Sequence, residues 1–122
     1  FYSYGGGGGG AGYGVETVAD DAALARPAQV GDNNLLSVGA NGPPGAFAGF
    51  GQNFAGPVDA SAYQGLQFWM YGTNSGAVLQ SELLDGAAAG ATNPDTSERF
   101  DYSFTDDWTG WRLVQVPFSA YQ

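Results

Sequence analysis

The sequence contains no cysteine, no histidine and no lysine, and its only cationic side chains are Arg26, Arg99 and Arg112. Each absence closes off some chemistry. Without cysteine there is neither a disulfide framework nor a thiolate zinc site. Without histidine, Ser-His-Asp and Cys-His catalysis fall away, together with most zinc hydrolase sites. Three arginines against twelve carboxylates leave a net charge of −9. Such a surface repels phosphate backbones and anionic membranes, but is compatible with neutral polymers and with cations such as calcium. No leader-like segment or long apolar run is present, and the abrupt start at Phe1 leaves room for a leader or neighbouring domain that has been removed.

What remains is rich in apolar and turn-forming residues. The 122 residues suit one domain, and a 43% hydrophobic, 15% aromatic composition argues for a packed core in spite of 21 glycines. Helix-favouring long side chains are scarce, while Gly, Asn, Asp, Ser and Pro recur at short intervals. Six consecutive glycines at 5–10, extended by Gly12 and Gly14, read as a mobile glycine-rich loop over 5–14. The run is not a phosphate loop, because no Lys-Ser/Thr follows it.

Strand patterns begin at Tyr13 and continue at Leu35–Ala40 and Phe47–Phe54, with a short helical turn expected at 21–25 and a tight turn at 41–45. The clearest strand is Leu66–Tyr71, where Leu66, Phe68 and Met70 alternate with Gln67, Trp69 and Tyr71. Val78–Leu84, Glu98–Phe104 and Trp111–Phe118 follow, separated by a Gly/Ala/Asn/Pro loop at 86–95. Seven or eight strands with no room for a crossover helix predict an all-β protein, an antiparallel β-sandwich of jelly-roll type.

Three stretches resemble the β-sandwich carbohydrate-binding modules, most closely those of family 11. They are Asp59-Ala-Ser-Ala-Tyr-Gln-Gly-Leu-Gln-Phe-Trp69, Glu98-Arg-Phe-Asp-Tyr-Ser-Phe104, and Trp111-Arg-Leu-Val-Gln-Val-Pro-Phe-Ser-Ala-Tyr121. The likeness covers roughly two-thirds of the chain, and the third stretch is the most specific. It implies a cleft that binds β-1,4 and mixed-linkage glucans, with Tyr4 at the place of a cleft tyrosine and Phe47 near another cleft aromatic. Relative to that family the chain is shortened at both ends. It lacks an initial Asp-Phe-Glu segment and the two strands that follow the Pro-Phe-Ser motif.

A sugar cleft needs flat apolar rings and polar groups that pair with hydroxyls. Trp69 and Tyr71 lie opposite the core triplet of their strand, and Trp111 opens its own strand on the outward side. Each is either a sugar platform or a ring covered by a loop or a chain end. Trp108 is expected to anchor its loop. Gln80 and Glu82 share one strand face, and Arg99 and Asp101 share another, either as hydroxyl-pairing groups or as a solvated ion-pairing face. Tyr121, like Tyr4, lies near a chain end and is either a cleft edge or a core cover. Asp20-Asp21 and Asp106-Asp107 are candidate donors for the structural calcium that the resemblance implies.

Glu82 and Glu98 have the residue type of a glycosidase pair, but so short a chain does not suit the deep cleft such catalysis requires. The sequence therefore predicts a secreted, bacterial, non-catalytic module over 1–122. It would be monomeric, bind β-glucan or cello-oligosaccharides (xyloglucan being a further candidate), and be fused to a glycoside hydrolase that it brings to plant cell wall. The alternative is a cell-surface or filament-forming sandwich that exchanges strands with its neighbours.

Overall fold

A computed structural model describes residues 2–17, 34–85 and 98–122, and for residues 13–17, 34 and 85 the backbone alone. The helical turn expected at 21–25, the loop at 86–95, and Asp20 and Asp21 lie outside the described residues. The chain divides into two compact units, Phe1–Gly56 and Pro57–Gln122. The described residues contain eight strands and one short 3-10 turn, Phe118–Ala120. The all-β, antiparallel fold class is as the sequence indicated.

Both units use the same nested pairing. In the first, β1 (Tyr2–Gly6) pairs with β4 (Phe47–Gly51), enclosing in sequence the pair β2 (Gly10–Thr17) and β3 (Asn34–Asn41). In the second, β5 (Gly65–Thr73) pairs with β8 (Thr109–Pro117), enclosing β6 (Val78–Asp85) and β7 (Glu98–Thr105). An outer antiparallel pair wrapped around an inner one is how a chain folds into a jelly roll.

The glycine run departs from its expected role. Gly5 and Gly6 finish β1, Gly10, Gly12 and Gly14 lie in β2, and only 7–9 form a turn. That turn is closed by the Gly9 N–H donating to the Gly6 carbonyl at 3.0 Å, with φ of 62° at Gly7 and 86° at Gly8. Positive φ at both central residues is a type I′ feature, which glycine adopts without steric cost. Want of space adds to flexibility as a reason for glycine at and beside this turn. A Cβ on Gly9 would lie 2.5 Å from the Phe47 carbonyl oxygen, and one on Gly42 would lie 2.8 Å from the Gly9 Cα.

The second unit is a small two-layer sandwich. The alternation in β5 and β8 turns Phe68, Met70, Val114 and Val116 to one side, where they meet Tyr102 and Phe104 of β7. Val116 is 1% exposed, and with Trp108 and Val114 it makes the buried centre. Full burial of such a side chain contributes about 1.5–3 kcal/mol. The rings stack in series, Tyr102 on Phe104 and Phe104 on Trp108, each at 6.3 Å between centroids. Arg112, on the inward side of β8 opposite Met70, places its guanidinium 4.3 Å from the Trp108 ring centroid. Trp108 thus anchors its loop, as its position in the sequence suggested.

One end of this sandwich is closed by Asp106, which is 4% exposed in the β7–β8 connection. Its carboxylate accepts from the backbone N–H and hydroxyl of Ser75 (3.1 and 2.7 Å), in the β5–β6 connection, and of Thr73 (3.2 and 3.1 Å), at the end of β5. Backbone bonds run alongside, from Asn74 N to Trp108 O at 2.7 Å and from Asp106 N to Ala77 O at 2.9 Å. Gly72 is buried under this clasp, where a Cβ would sit 2.5 Å from the Trp108 Nε1 and 2.7 Å from the Asp106 Oδ1.

The Ser75 hydroxyl, opposed by burial and reinforced by the backbone of Ser75 and Thr73, lowers the Asp106 pKa from 3.8 to about 2. A carboxylate whose folded-state value is depressed contributes stability that is complete above its unfolded value and is lost as pH falls towards the folded one. The melting temperature is therefore expected to fall as pH drops from 3.8 to about 2. Asp106→Asn should melt lower at neutral pH and lose much of that acid dependence, as measured by thermal denaturation across the range.

Candidate functional site

Three faces carry the side chains that the sequence picks out. On the inner pair of the second unit, the register sets Gln80 opposite Ser103, Glu82 opposite Asp101 and Leu84 opposite Arg99. These six alternate with Leu79, Ser81 and Leu83 and with Phe100, Tyr102 and Phe104, whose side includes the core-packing rings, so they point away from the core. Gln80, Glu82, Arg99 and Asp101 thus do share one face of one sheet. Directly opposed side chains have Cβ atoms about 4.5–5.5 Å apart, and like charges placed so are mutually destabilising. One Asp101 carboxylate oxygen, Oδ1, is buried with no hydrogen-bond partner among the described residues. The backbone at this point is fixed, since Asp101 and Gln122 exchange two backbone bonds of 2.9 and 3.1 Å.

The second face is the outward side of the outer pair, with Gln67, Trp69 and Tyr71 on β5 opposite Gln115, Leu113 and Trp111 on β8. Tyr71 and Trp111 meet edge to face, 5.4 Å between centroids and 85° between planes. The Gln115 side-chain amide donates to the Gln67 side-chain carbonyl at 3.2 Å. Trp69 and Trp111 are half-buried and Tyr71 is 40% exposed. This face lies across the two-layer core from the Glu82–Asp101 face. Within this unit the structure places the aromatic candidates Trp69, Tyr71 and Trp111 and the polar candidates Gln80, Glu82, Arg99 and Asp101 on opposite sides.

The third face is in the first unit. Tyr2 and Tyr4 of β1 stand opposite Gly51 and Gly49 of β4, and Phe47 of β4 stands opposite Gly6. All three rings are on one side of the ribbon. Tyr4 and Phe47 were legible from the family resemblance, but Tyr2 was not. The signal for it was the complementary spacing of Tyr2-x-Tyr4-x-Gly6 and Phe47-x-Gly49-x-Gly51, which has meaning only once the two segments are paired.

The family description for the carbohydrate binding domain (family 11) matches residues 12–122. The chain belongs to the family 11 carbohydrate-binding domains. No curated protein and no solved structure matches it. The match spans both units of this carbohydrate-binding domain, and several of its motif residues have structural tasks. The Asp59 carboxylate accepts from the Ser61 N–H at 2.9 Å and closes a turn ahead of β5, a bond that lowers its pKa. Phe118, in the Pro-Phe-Ser stretch, donates its N–H to the Gln64 carbonyl at 2.9 Å and ties the end of β8 to the start of β5.

Tyr121 also has a structural task. It packs against the buried cluster, lies 6.2 Å from Tyr102 between ring centroids, and shares a 2.8 Å hydrogen bond between its hydroxyl and that of Ser81. It sits within the inward-facing set and on neither outward face. Asp106 and Asp107 do not fit a calcium site. The former is spent on the Thr73 and Ser75 donors, and the latter forms a 3.1 Å ion pair with Arg112. Among the described residues, no group of three or more acidic side chains gathers to hold a metal ion.

If Tyr121 is a core cover, Tyr121→Phe should cost about 0.5–1.5 kcal/mol of stability through the lost hydrogen bond. Its carbohydrate affinity should stay unchanged. Chemical denaturation and calorimetric titration of the same variant separate the two effects.

Proposed function

We propose that this domain is a secreted, non-catalytic module that holds a β-glucan chain, β-1,4 or mixed-linkage, on the outward face of β6 and β7. Bound in this way, it directs an appended glycoside hydrolase to plant cell wall. The observation that carries the proposal is the buried Oδ1 of Asp101, which has no hydrogen-bond partner among the described residues and is set opposite Glu82 and beside Arg99. A buried acceptor left without a donor is costly, on the order of 1–3 kcal/mol, and more when charged. A sugar hydroxyl supplies the missing donor. It also separates two facing carboxylates without adding charge, and a guanidinium nearby can donate to neighbouring hydroxyl oxygens.

Family membership supports a carbohydrate ligand, and the net charge of −9 favours an uncharged polymer over an acidic one. Tethering an enzyme to its polymer acts through effective concentration and requires no chemistry from the module itself. Calcium has no step in this binding scheme.

Calorimetric titration with cello-oligosaccharides and soluble mixed-linkage glucan tests the proposal. Asp101→Ala and Arg99→Ala should each weaken binding by about 1.5–3 kcal/mol, roughly 10- to 150-fold, as expected for hydrogen bonds to charged groups. Trp69→Ala reports on the opposite face and should have a smaller effect. Wild-type affinity in both Asp101→Ala and Arg99→Ala would overturn the assignment of this face.

A further inference from the structure

The Asn-Gly-Pro-Pro-Gly segment at 41–45 ends β3, and no part of it belongs to the face proposed for the ligand. Its second half is rigid. The Ala46 N–H donates to the Pro43 carbonyl at 3.0 Å and Gly45 has a φ of 83°, which makes a type II turn with Pro44 at its first central position. Pro43 has no N–H and favours an extended residue before it, so the ladder of β3 stops at Asn41, whose partner is Gly10.

Gly42 has no room for a side chain. A Cβ there would lie 2.7 Å from the Ala46 Cβ and 2.8 Å from the Gly9 Cα. Packing thus gives Asn41 the one successor that leaves the following backbone nitrogen unshielded. Asn41 and Gly42 are both exposed, and with Ala40, Ala46, Phe47 and Ala48 they line a hollow of about 280 Å³. The Asn41 Oδ1 lies 3.9 Å from where a Gly10 side chain would begin. Among the described residues, no hydrogen bond engages the Gly42 N–H or the Asn41 side-chain amide. Other asparagines are placed differently. Asn53 precedes the bulky Phe54, and Asn74 precedes Ser75, whose N–H is held by the Asp106 Oδ2 at 3.1 Å.

We propose that Asn41 is a site of spontaneous covalent modification that ages the first unit. The Gly42 nitrogen gives its proton to solvent and attacks the Asn41 Cγ. A C–N bond forms, the Cγ–Nδ2 bond breaks, and ammonia leaves with a proton from solvent, giving a cyclic succinimide. Water then opens the ring at either carbonyl, and the product is aspartate or isoaspartate. The net change replaces an amide nitrogen by the oxygen of water, so neither an oxidant nor a cofactor is required. Both products add a negative charge to a unit whose described residues include a single charged one, Glu16. Isoaspartate also inserts a methylene into the main chain directly before Gly42, which has no space to shift between Gly9 and Ala46. The last pair of the β2–β3 ladder, Gly10 with Asn41, is the one that opens.

The test is timed incubation of the whole domain, folded and in urea, in warm, mildly alkaline buffer. Peptide mapping with fragmentation that distinguishes isoaspartate from aspartate follows the reaction. In the folded domain the Asn41 peptide should convert first, to both products, while the Asn74 peptide keeps its amide. In urea, where Asp106 no longer holds Ser75, Asn74 should convert as well. Asn41→Gln should abolish the conversion at this position in the folded domain. Hydrogen exchange over residues 10–13 and 38–41 should be faster in the isoaspartate form than in fresh protein. Asn41→Asp adds the charge without the methylene and should exchange more slowly than the isoaspartate form. Conversion of Asn41 no faster than that of Asn53 or Asn74 in the folded domain overturns the proposal. So does conversion to aspartate alone, which is direct hydrolysis without a ring. Unchanged exchange in the isoaspartate form overturns the opening of the β2–β3 pair.

Discussion

The second unit depends on one carboxylate. Asp106 satisfies four donors from the turn that joins the outer and inner strand pairs, and its own backbone bonds back to that turn. Two connections, each running between the outer and the inner pair, are thereby held as one piece. That piece sets the seat of Trp108, whose indole N–H is buried with no hydrogen-bond partner among the described residues. Such a group costs on the order of 1–3 kcal/mol. It persists because the ring is held by Phe104 on one side and Arg112 on another, and because the Gly72 backbone leaves no room for it to move. Packing and the clasp outweigh one lost hydrogen bond.

Much of this unit was legible in the sequence for a simple reason. Where one side of a strand is buried and the other is not, the period of two is written in side-chain type. Leu66-Gln-Phe-Trp-Met-Tyr71 and Trp111-Arg-Leu-Val-Gln-Val116 show it plainly, and the structure aligns them in register as β5 and β8. The terminal turn is different. Nothing in Pro-Phe-Ser-Ala-Tyr-Gln indicates that Gln122 returns to pair with Asp101, or that Tyr121 reaches Ser81, because both partners are remote in the chain.

Glycine was the harder residue to read. A run of six suggests a chain that cannot hold a regular shape, and as a statement about backbone entropy that is correct. It fails here because the missing side chains are replaced by rings and backbone from neighbouring strands. Gly6, Gly49 and Gly51 are each filled by an aromatic from across the ribbon. Pairing of this kind conceals the period of two, since one strand presents alternating rings and the other alternating gaps. The candidate site suffered from a related blindness. Periodicity reports which side of a strand a residue occupies and says nothing about which sheet the strand joins, so the separation of Trp69 and Glu82 by a core was not legible.

The kinds of contact available to a neutral polymer differ in what they decide. A ring laid against a sugar contributes on the order of 1 kcal/mol beyond the area it covers and tolerates any pyranose with a flat face. A buried carboxylate that requires a hydroxyl donor contributes about 1.5–3 kcal/mol and makes strict demands on where that hydroxyl lies. The first kind of contact therefore discriminates little between linkages, and the second is the kind that can select among them. A surface with so few cations suits contacts of both kinds, because neither needs a charge on the ligand and twelve carboxylates against three arginines repel acidic polymers.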